Sequence, residues 1–463
     1  MKSCLALVGL VLVLLGACGP ARAADTPSAP SVEPVVSQPS ATAYPLTVVS
    51  SMATPEPTAP PATAPPTREP PPARPEGDHP GARPGPYRRP DYSDFALESF
   101  AGGQRIAGTY YFYWYDWPSR YFLEPPAALP RPPAEPRFRP TYHNHPPDRE
   151  QVSFCNPAWH RRQIEDMLAA GLDFYLPIYW GRPGRYGRQD GVPVCSLERQ
   201  PDPNDYWNAP HFAPVRDAWP TEGLPPMIEA MDAISADGRR PPRIGMFLDT
   251  TIMDDADLRT PEGKAYLYAV IRDFFSRVPP RYWAAIDGRP LLWFYDAQRV
   301  AAFDQTTFDY VYEHFPRDFG GHVPFIVREL QWKNPKVWND AALAASLPPI
   351  QTESLYAWGA APFGYNADVP DSLVAQVGPG FDTRSWPDVV YADRENGAFF
   401  QRHMAAALRS GKSILMVETW NEWTESSGVA ETVEFGRQYI DLTRRCLDLF
   451  KRNVAPRGDR CAE

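Results

Sequence analysis

The stretch Ser413-Ile-Leu-Met-Val-Glu-Thr-Trp420 is an apolar run of strand length that ends in a carboxylate and an aromatic residue. It follows residues 396–410, which have the pattern of an amphipathic helix. A helix that leads into an apolar strand is typical of parallel sheets, because parallel strands need a crossover connection. The stretch therefore predicts a strand of a parallel α/β sheet, and the same rhythm recurs on its N-terminal side.

Short apolar and aromatic runs alternate with helical segments from residue 105 onward. The predicted strands are residues 106–115, 174–180, 243–249, 290–296, 324–328, 354–358, 374–379 and 413–420. The predicted helices are residues 157–170, 226–236, 261–277, 305–314, 396–410 and 434–451. This alternation predicts an α/β fold, a (β/α)8 TIM barrel with long top loops. A doubly wound open sheet is the alternative, but the Gly-rich phosphate turn typical of that fold does not follow the first strand.

The N-terminal residues predict export and a lipid anchor. Residues 5–15 are apolar, follow Met1-Lys2, and lead into Leu15-Gly16-Ala17-Cys18, which resembles a bacterial lipobox. We expect residues 1–18 to be a lipoprotein signal peptide, with Cys18 lipidated and the protein held outside the cytoplasm on the cell envelope. Cleavage after Ala23 is the alternative. Residues 19–94 are rich in Pro, Ala and Thr and predict a disordered tether. The barrel domain is expected at residues 95–463.

The composition limits the kinds of partner and cofactor that we expect. The net charge of −10 comes without a dense basic block in the predicted barrel, which excludes nucleic acid as an expected partner. Aromatic residues make up 13% of the chain, which suits either a large core or the stacking of sugar rings. No HExxH pair occurs, and His143-Asn144-His145 lies in a Pro-rich loop, so we expect neither a metal nor a cofactor. A monomer is expected.

The cysteines after Cys18 predict disulfides. They are Cys155, Cys195, Cys446 and Cys461, without a CxxC motif. An even number of cysteines in an exported protein favours disulfides. Of the three connectivities we prefer the local one, Cys155–Cys195 and Cys446–Cys461. Four buried free thiols are the alternative.

Aromatic and carboxylate residues gather at the predicted strand ends, where TIM barrels carry their chemistry. Rings stack on sugar faces and carboxylates accept hydrogen bonds from hydroxyls, so this rim predicts a carbohydrate site. Helix capping is the alternative for Asp249 and Asp296. The residues expected to bind substrate are Tyr113, Trp114, Tyr179, Trp180, Asp249, Asp296, Arg328, Glu329, Trp358, Glu418, Trp420, Asn421 and Trp423.

Glu422 and Glu425 are the predicted catalytic pair. In an extended strand, residues 418, 420 and 422 share one face, and Glu425 lies three residues beyond. Two carboxyls at one strand mouth, with Trp420 and Trp423 as an apolar wall, can keep different protonation states. Capping or salt-bridge roles for these glutamates are the alternative.

The segment Asn421-Glu422-Trp423-Thr424-Glu425 resembles the signature of family 99 glycoside hydrolases, which include endo-α-mannosidases and endo-α-mannanases. The aromatic first strand, residues 110–115, is similar too. The resemblance implies that Glu422 deprotonates the sugar 2-hydroxyl, whose oxygen attacks the anomeric carbon and gives an anhydro-sugar with retention. It implies that Glu425 protonates the leaving oxygen and later activates water. Thr424 departs from the His of mannan-active members, and residues 426–431 differ as well.

These observations predict an extracytoplasmic glycoside hydrolase that cleaves an α-linked poly- or oligosaccharide. A non-catalytic glycan-binding barrel is the first alternative and a structural envelope lipoprotein the second. Catalysis requires Glu422 and Glu425 to reach one sugar-sized space. A salt bridge that holds either of them away from it would favour the binding protein.

Overall fold

The structure is a computed structural model that describes residues 94–119, 143–182, 192–198, 209–367, 369, 372–384 and 389–462. The predicted signal peptide, with Cys18, and all of the predicted tether except residue 94 lie outside the described residues. Within the described ranges, no helix is long and apolar enough to cross a membrane.

A nearly closed barrel of eight parallel strands forms the centre of the fold, as predicted. The strands are β1 (Ile106–Tyr111), β2 (Phe174–Tyr179), β3 (Met246–Asp249), β4 (Arg289–Tyr295), β5 (Phe325–Glu329), β6 (Ser354–Tyr356), β7 (Val374–Val377) and β8 (Ile414–Val417). Each strand from β1 to β5 pairs with the next one in the chain, and β8 pairs with both β7 and β1. The open-sheet alternative is therefore wrong, because β8 returns to the first strand, with Ile106 opposite Ile414.

Two serines bridge the seam between β6 and β7, which share no ladder in the described part of the chain. Ser372 Oγ donates to the Leu355 carbonyl at 2.6 Å, and the Leu373 amide donates to Ser354 Oγ at 3.0 Å. Side-chain hydrogen bonds thus replace ladder bonds where the barrel closes.

Helices surround the barrel. They are α1 (Pro157–Ala169), α2 (Ala209–Glu222), α3 (Leu224–Ala236), α4 (Pro261–Arg277), α5 (Gln305–Asp318), α6 (Ala341–Ser346), α7 (Ala360–Phe363), α8 (Ala398–Arg409) and α9 (Gln438–Arg452). Short strands lie at Arg243–Ile244, Ala256–Asp257, Ala285–Ile286, Val300–Phe303, Lys336–Val337, Phe381–Asp382 and Tyr391–Ala392. All six predicted helices are present, while α2, α6 and α7 were not predicted.

The residues before β1 cross the lower face of the barrel, at the N-terminal ends of the strands. Phe100 pairs with Ile286, which lies just before β4, and the Gly102 amide donates to Asp287 at 2.7 Å. His322, just before β5, contacts the carbonyl of Phe95 at 2.8 Å through Nε2. The chain therefore enters the barrel on the face opposite the C-terminal strand ends.

Both predicted disulfides are present. Cys155 bonds to Cys195, 40 residues away, and Cys446 in α9 bonds to Cys461, 15 residues away. The first joins the residue before the cap of α1 to the loop that follows β2. The second ties the C-terminal residues to α9.

The predicted strand at residues 413–420 is shorter than expected, because β8 ends at Val417. A cis peptide bond joins Glu418 to Thr419, and the chain then turns back on itself. Glu418 faces the loop before α7, whereas the Trp420 indole donates to Gln163 on α1 at 2.7 Å. The expectation that residues 418, 420 and 422 share one face is therefore wrong.

Candidate active site

The segment after β8 forms one side of the barrel mouth. Asn421 anchors this segment to the continuation of β1, because its side chain exchanges two hydrogen bonds with the backbone of Phe112, at 2.8 and 2.9 Å. Asn421 was predicted to bind substrate, and the structure shows it joining the first and last strands. This pairing brings Tyr115 next to the two predicted catalytic glutamates.

Glu422 is buried at the mouth, and two hydroxyl groups hold its carboxylate. Its Oε1 accepts hydrogen bonds from Tyr115 Oη at 3.2 Å and from Thr424 Oγ1. Burial raises the pKa of Glu422 to about 7, while both hydroxyls favour the charged form. Glu422 is thus poised to exchange a proton near neutral pH.

Glu425 lies beside Glu422 but has a different environment. Its side chain is partly exposed, and no described residue hydrogen-bonds to its carboxyl group. The surrounding protein atoms and the charges of Glu422 and Glu418 raise the pKa of Glu425 well above its ordinary value. Since ionised Glu422 repels a second negative charge, Glu425 keeps its proton while Glu422 is ionised.

The turn that carries Glu425 is held from behind by a buried arginine. Arg394 Nη2 donates to the carbonyl of Ser426 at 2.7 Å and to that of Gly428 at 2.9 Å. Gly428 approaches the backbone of Trp420 so closely that a Cβ atom would lie 2.7 Å from its carbonyl oxygen. The returning chain therefore requires glycine at this position and fixes the direction of the turn.

Glu418 has a partner set of its own. Its carboxylate accepts hydrogen bonds from the amides of Gly359, Ala360 and Ala361, at 3.0 to 3.2 Å, and from the Gln376 side chain. Burial raises its pKa to about 7 against these bonds. Glu418 thus ties β8 to β7 and to the N-terminus of α7.

Three predicted carboxylates form the opposite side of the mouth: Asp249 at the end of β3, Asp296 after β4 and Glu329 at the end of β5. All three are buried. Burial raises the pKa of Asp296 and of Glu329 to about 7, and it also raises the pKa of Asp249. Asp249 accepts the amide of Thr251 and caps the short 3-10 helix Thr250–Met253, as the capping alternative expected. Asp296 accepts the amide of Gln298, but a strand and not a helix follows it, so helix capping does not account for Asp296.

Aromatic rings line the space between the two sides. The Trp180 indole donates to Asp249 at 2.6 Å, and the ring of Trp114 lies 5.2 Å from that of Trp180. Tyr295 and Trp358 pack with their ring centroids 4.8 Å apart. Trp180, Tyr295 and Trp358 keep some solvent exposure, which suits contact with a sugar face.

Several predicted binding residues lie in the core instead. The hydroxyl of Tyr113 donates to the Pro220 carbonyl at 2.8 Å, and that of Tyr179 donates to Asp273 on α4. Arg328 donates to the carbonyls of Trp332 and Ile350. Trp420 and Trp423 are buried, with Trp423 packed on Tyr115 at 4.5 Å. The polar groups of Tyr113, Tyr179 and Arg328 thus have partners within the protein and need no ligand.

Four residues of the site were not among the predicted binding residues: Tyr115, Tyr295, Thr424 and Arg394. Tyr115 had a usable signal, because it belongs to the aromatic run that continues β1. Thr424 stood inside the motif. Arg394 lies 31 residues before Glu425 in a loop, and nothing in the local sequence indicates its contact with the turn.

The charge of the mouth is one-sided. In the described part of the chain, none of the carboxylates at positions 249, 296, 329, 418, 422 and 425 forms an ion pair with Lys, Arg or His. A group of His, Cys, Asp and Glu side chains arranged to hold a metal ion is also absent from the described residues. A run of three aspartates after β3 is paired with arginines: Asp254 with Arg182, Asp255 with Arg299, and Asp257 with Arg259.

The arrangement can perform acid–base chemistry on a substrate with ring-shaped units. One carboxyl is stabilised as an anion and its neighbour holds a proton, which is how two carboxyls divide the roles of base and acid. Neither Glu422 nor Glu425 forms a salt bridge with a described residue.

The family described as Domain of unknown function (DUF5010) matches residues 139–457. No curated protein matches the chain.

Solved structures that the chain matches include the GH99 endo-alpha-mannosidase from Bacteroides thetaiotaomicron, at 16% identity and a TM-score of 0.46, over 76% of this chain and 98% of that one. The same enzyme in complex with BIS-TRIS-propane matches at 14% identity and a TM-score of 0.46, over 75% and 98%. A glycoside hydrolase-like protein matches at 11% identity and a TM-score of 0.46, over 74% and 94%. Likenesses at this level carry neither an activity nor a substrate to this chain.

Proposed function

We propose that this chain, which belongs to the family described as Domain of unknown function (DUF5010), is a glycoside hydrolase that cleaves an α-linked glycan. The observation that carries the proposal is the pair Glu422 and Glu425, two neighbouring carboxyls in unlike environments at the mouth of a barrel. Tyr115 and Thr424 stabilise the charge on Glu422, whereas Glu425 has no described hydrogen-bond partner and is repelled by its neighbours' charges.

In this proposal Glu422 is the base and Glu425 the acid. Glu422 removes the proton of the sugar 2-hydroxyl, and that oxygen displaces the leaving group from the anomeric carbon. Glu425 gives its proton to the departing glycosidic oxygen and then takes a proton from a water molecule. The oxygen of that water attacks the anomeric carbon, the bond between the anomeric carbon and the 2-oxygen breaks, and the 2-oxygen takes back the proton held by Glu422, which restores both carboxyl groups. The aromatic rings of Trp180, Tyr295 and Trp358 offer faces for the sugar rings.

Replacement of the acid tests the proposal. We expect Glu425→Gln to lower kcat at least 100-fold on α-mannan, α-glucan or bacterial polysaccharide, because the leaving oxygen loses its proton donor, with KM little changed. The full-length wild type is screened on that panel first. Glu262→Gln, an exposed change of the same type at the start of α4, is the control and should keep full activity. Undiminished hydrolysis by Glu425→Gln would refute the assignment.

If no polymer on a broad panel is cleaved but one binds, the non-catalytic glycan-binding protein becomes the better description. In that case the wild type binds the polymer without hydrolysing it, and Glu422→Gln and Glu425→Gln bind it as well. Binding by both variants would also show that they are folded.

Export and lipid anchoring on Cys18 are also proposed. Two disulfides in the barrel suit an oxidising compartment, which supports export. Labelling of expressing cells with a palmitate analogue should mark the wild type and leave Cys18→Ala unlabelled. Equal labelling of both proteins would contradict the anchor.

A further inference from the structure

We infer that the side of the mouth formed by Asp249, Asp296 and Glu329 binds the ammonium group of an amino sugar within the glycan. The inference rests on the proposed function for the glycan itself. It adds the chemical class of the substrate, which is a glycan with free amines. It places the binding site for the amine at the ends of β3, β4 and β5, across the barrel from β8.

Three buried carboxylates lie at this side of the mouth, and in the described part of the chain none of them forms an ion pair with a basic side chain. Within the described residues, the amine near this cluster is that of Lys336, which donates to the carbonyls of Ala297 at 2.6 Å and Gln298 at 3.3 Å. Two donors of Lys336 thus bond to backbone oxygens, and its charge lowers the pKa of Asp296 without forming an ion pair with it. A cation brought by a ligand would supply the charge that the cluster lacks.

One atom of the cluster lacks a partner altogether. Asp296 is fully buried, its Oδ1 accepts the Gln298 amide at 2.9 Å, and its Oδ2 has no hydrogen-bond partner. A buried polar atom without a partner costs about 1–3 kcal/mol, more when the group is charged. The fold keeps this carboxylate at the mouth despite that cost, as expected of a group whose partner is a ligand.

The neighbouring rings favour an organic cation on a sugar. Tyr295 lies among the carboxylates, since the charges of Asp296, Asp249, Glu425 and Glu329 all raise its pKa. The ring of Tyr295 packs beside Trp358, and Trp180 donates to Asp249. Ring faces attract an ammonium group and also stack on pyranose faces, whereas a metal ion prefers a shell of oxygen ligands alone.

Other ligand classes fit less well. A uronate or phosphate group would be repelled by the negative charge of Asp249, Asp296 and Glu329 at this side of the mouth and of Glu422 across it. A metal site is not favoured, since the described side chains contain no suitable group. The sugar that Glu422 deprotonates must carry a hydroxyl at C2. The amine therefore belongs to a neighbouring sugar of the glycan.

Matched small ligands test the inference on the full-length protein. The probes are the methyl α-glycosides of glucosamine, galactosamine and mannosamine, each compared with its N-acetyl form and its parent neutral sugar by saturation-transfer NMR in low salt. We expect at least one amine to bind about tenfold more tightly than both of its matched forms, and high salt to weaken that preference.

Variants connect the preference to the cluster. Asp296→Asn and Asp249→Asn should each remove it, with near-ultraviolet circular dichroism as the check on folding. Asp309→Asn, an exposed change on α5, should retain it. Equal binding of the three forms, no binding of any amine, or a preference that survives both cluster variants would overturn the inference.

The proposed function and the proposed amine site can be refuted independently of each other. Glu425→Gln should still prefer the amine after hydrolysis is lost. An intact preference with undiminished hydrolysis in Glu425→Gln refutes only the catalytic assignment. Loss of hydrolysis in Glu425→Gln, together with wild-type indifference to the amine, refutes only the substrate class.

Discussion

Tyr115 connects the first strand of the barrel to the chemistry of the last. Its hydroxyl donates to Glu422 at 3.2 Å and accepts the amide of Trp423 at 3.0 Å. A single phenol thus stabilises the charged form of the base and fixes the backbone between the two glutamates. Its ring, 4.5 Å from that of Trp423, would keep this packing if the hydroxyl were removed.

Tyr115→Phe should shift the pH profile of hydrolysis. The base must be ionised, so activity rises with pH through the pKa of Glu422, about 7, and falls when Glu425 loses its proton at higher pH. Loss of the hydroxyl removes a hydrogen bond to the anion and raises the pKa of Glu422, moving the rising limb upward by about one pH unit.

The profile is measured as kcat/KM against pH. Tyr268→Phe, whose lost hydroxyl donates to Asp318 at 2.8 Å far from the mouth, serves as the control. An unchanged rising limb in Tyr115→Phe would show that this hydroxyl does not govern the base.

Elements were predicted better than side-chain directions. The strands were found because buried parallel strands are continuous apolar runs between helical patterns. Helix α2 was missed because Pro210, Pro214 and Pro220 interrupt its sequence, and proline normally ends a helix. Helix α5 likewise extends past the predicted end at residue 314 and includes Pro316.

The predicted side-chain directions were wrong for Tyr113 and Tyr179, because the prediction ignored that successive side chains of a strand point to opposite faces. Tyr111, Tyr113 and Tyr179 contact the helical layer, through His160, the end of α2 and Asp273. A period of two along the first strand would have separated Tyr113 from its neighbours Phe112 and Trp114. The prediction that residues 418, 420 and 422 share one face was wrong because the alternation of side chains holds only in an extended chain. Strand β8 ends at Val417, before these residues.

For the whole molecule, the unpaired carboxylates make stability depend on pH. The pKa values of Asp296, Glu329, Glu418 and Glu422 are each raised to about 7 by burial. Unfolding returns these groups to about 4, so the folded state binds protons more tightly. Their contribution is most favourable below the unfolded pKa and is lost as pH rises toward 7.

We therefore expect the free energy of unfolding to be lower at pH 8 than near pH 5.5, by a few kcal/mol in order of magnitude. Chemical denaturation followed by tryptophan fluorescence measures it. Asp296→Asn removes one of the buried charges and should reduce the difference, while Asp309→Asn should not. Greater stability of the wild type at pH 8 would contradict this account of the mouth.

The N-terminal approach to the barrel has a consequence for orientation. Residues 94–105 run beneath the strands, with Phe100 at Ile286 and Gly102 at Asp287, so the chain joins the barrel at its floor. A tether fixed at the proposed Cys18 anchor would pull on that floor. The carboxylate mouth would then point away from the membrane, toward polymers diffusing in from the surroundings, and the bilayer would not obstruct a long chain lying across it.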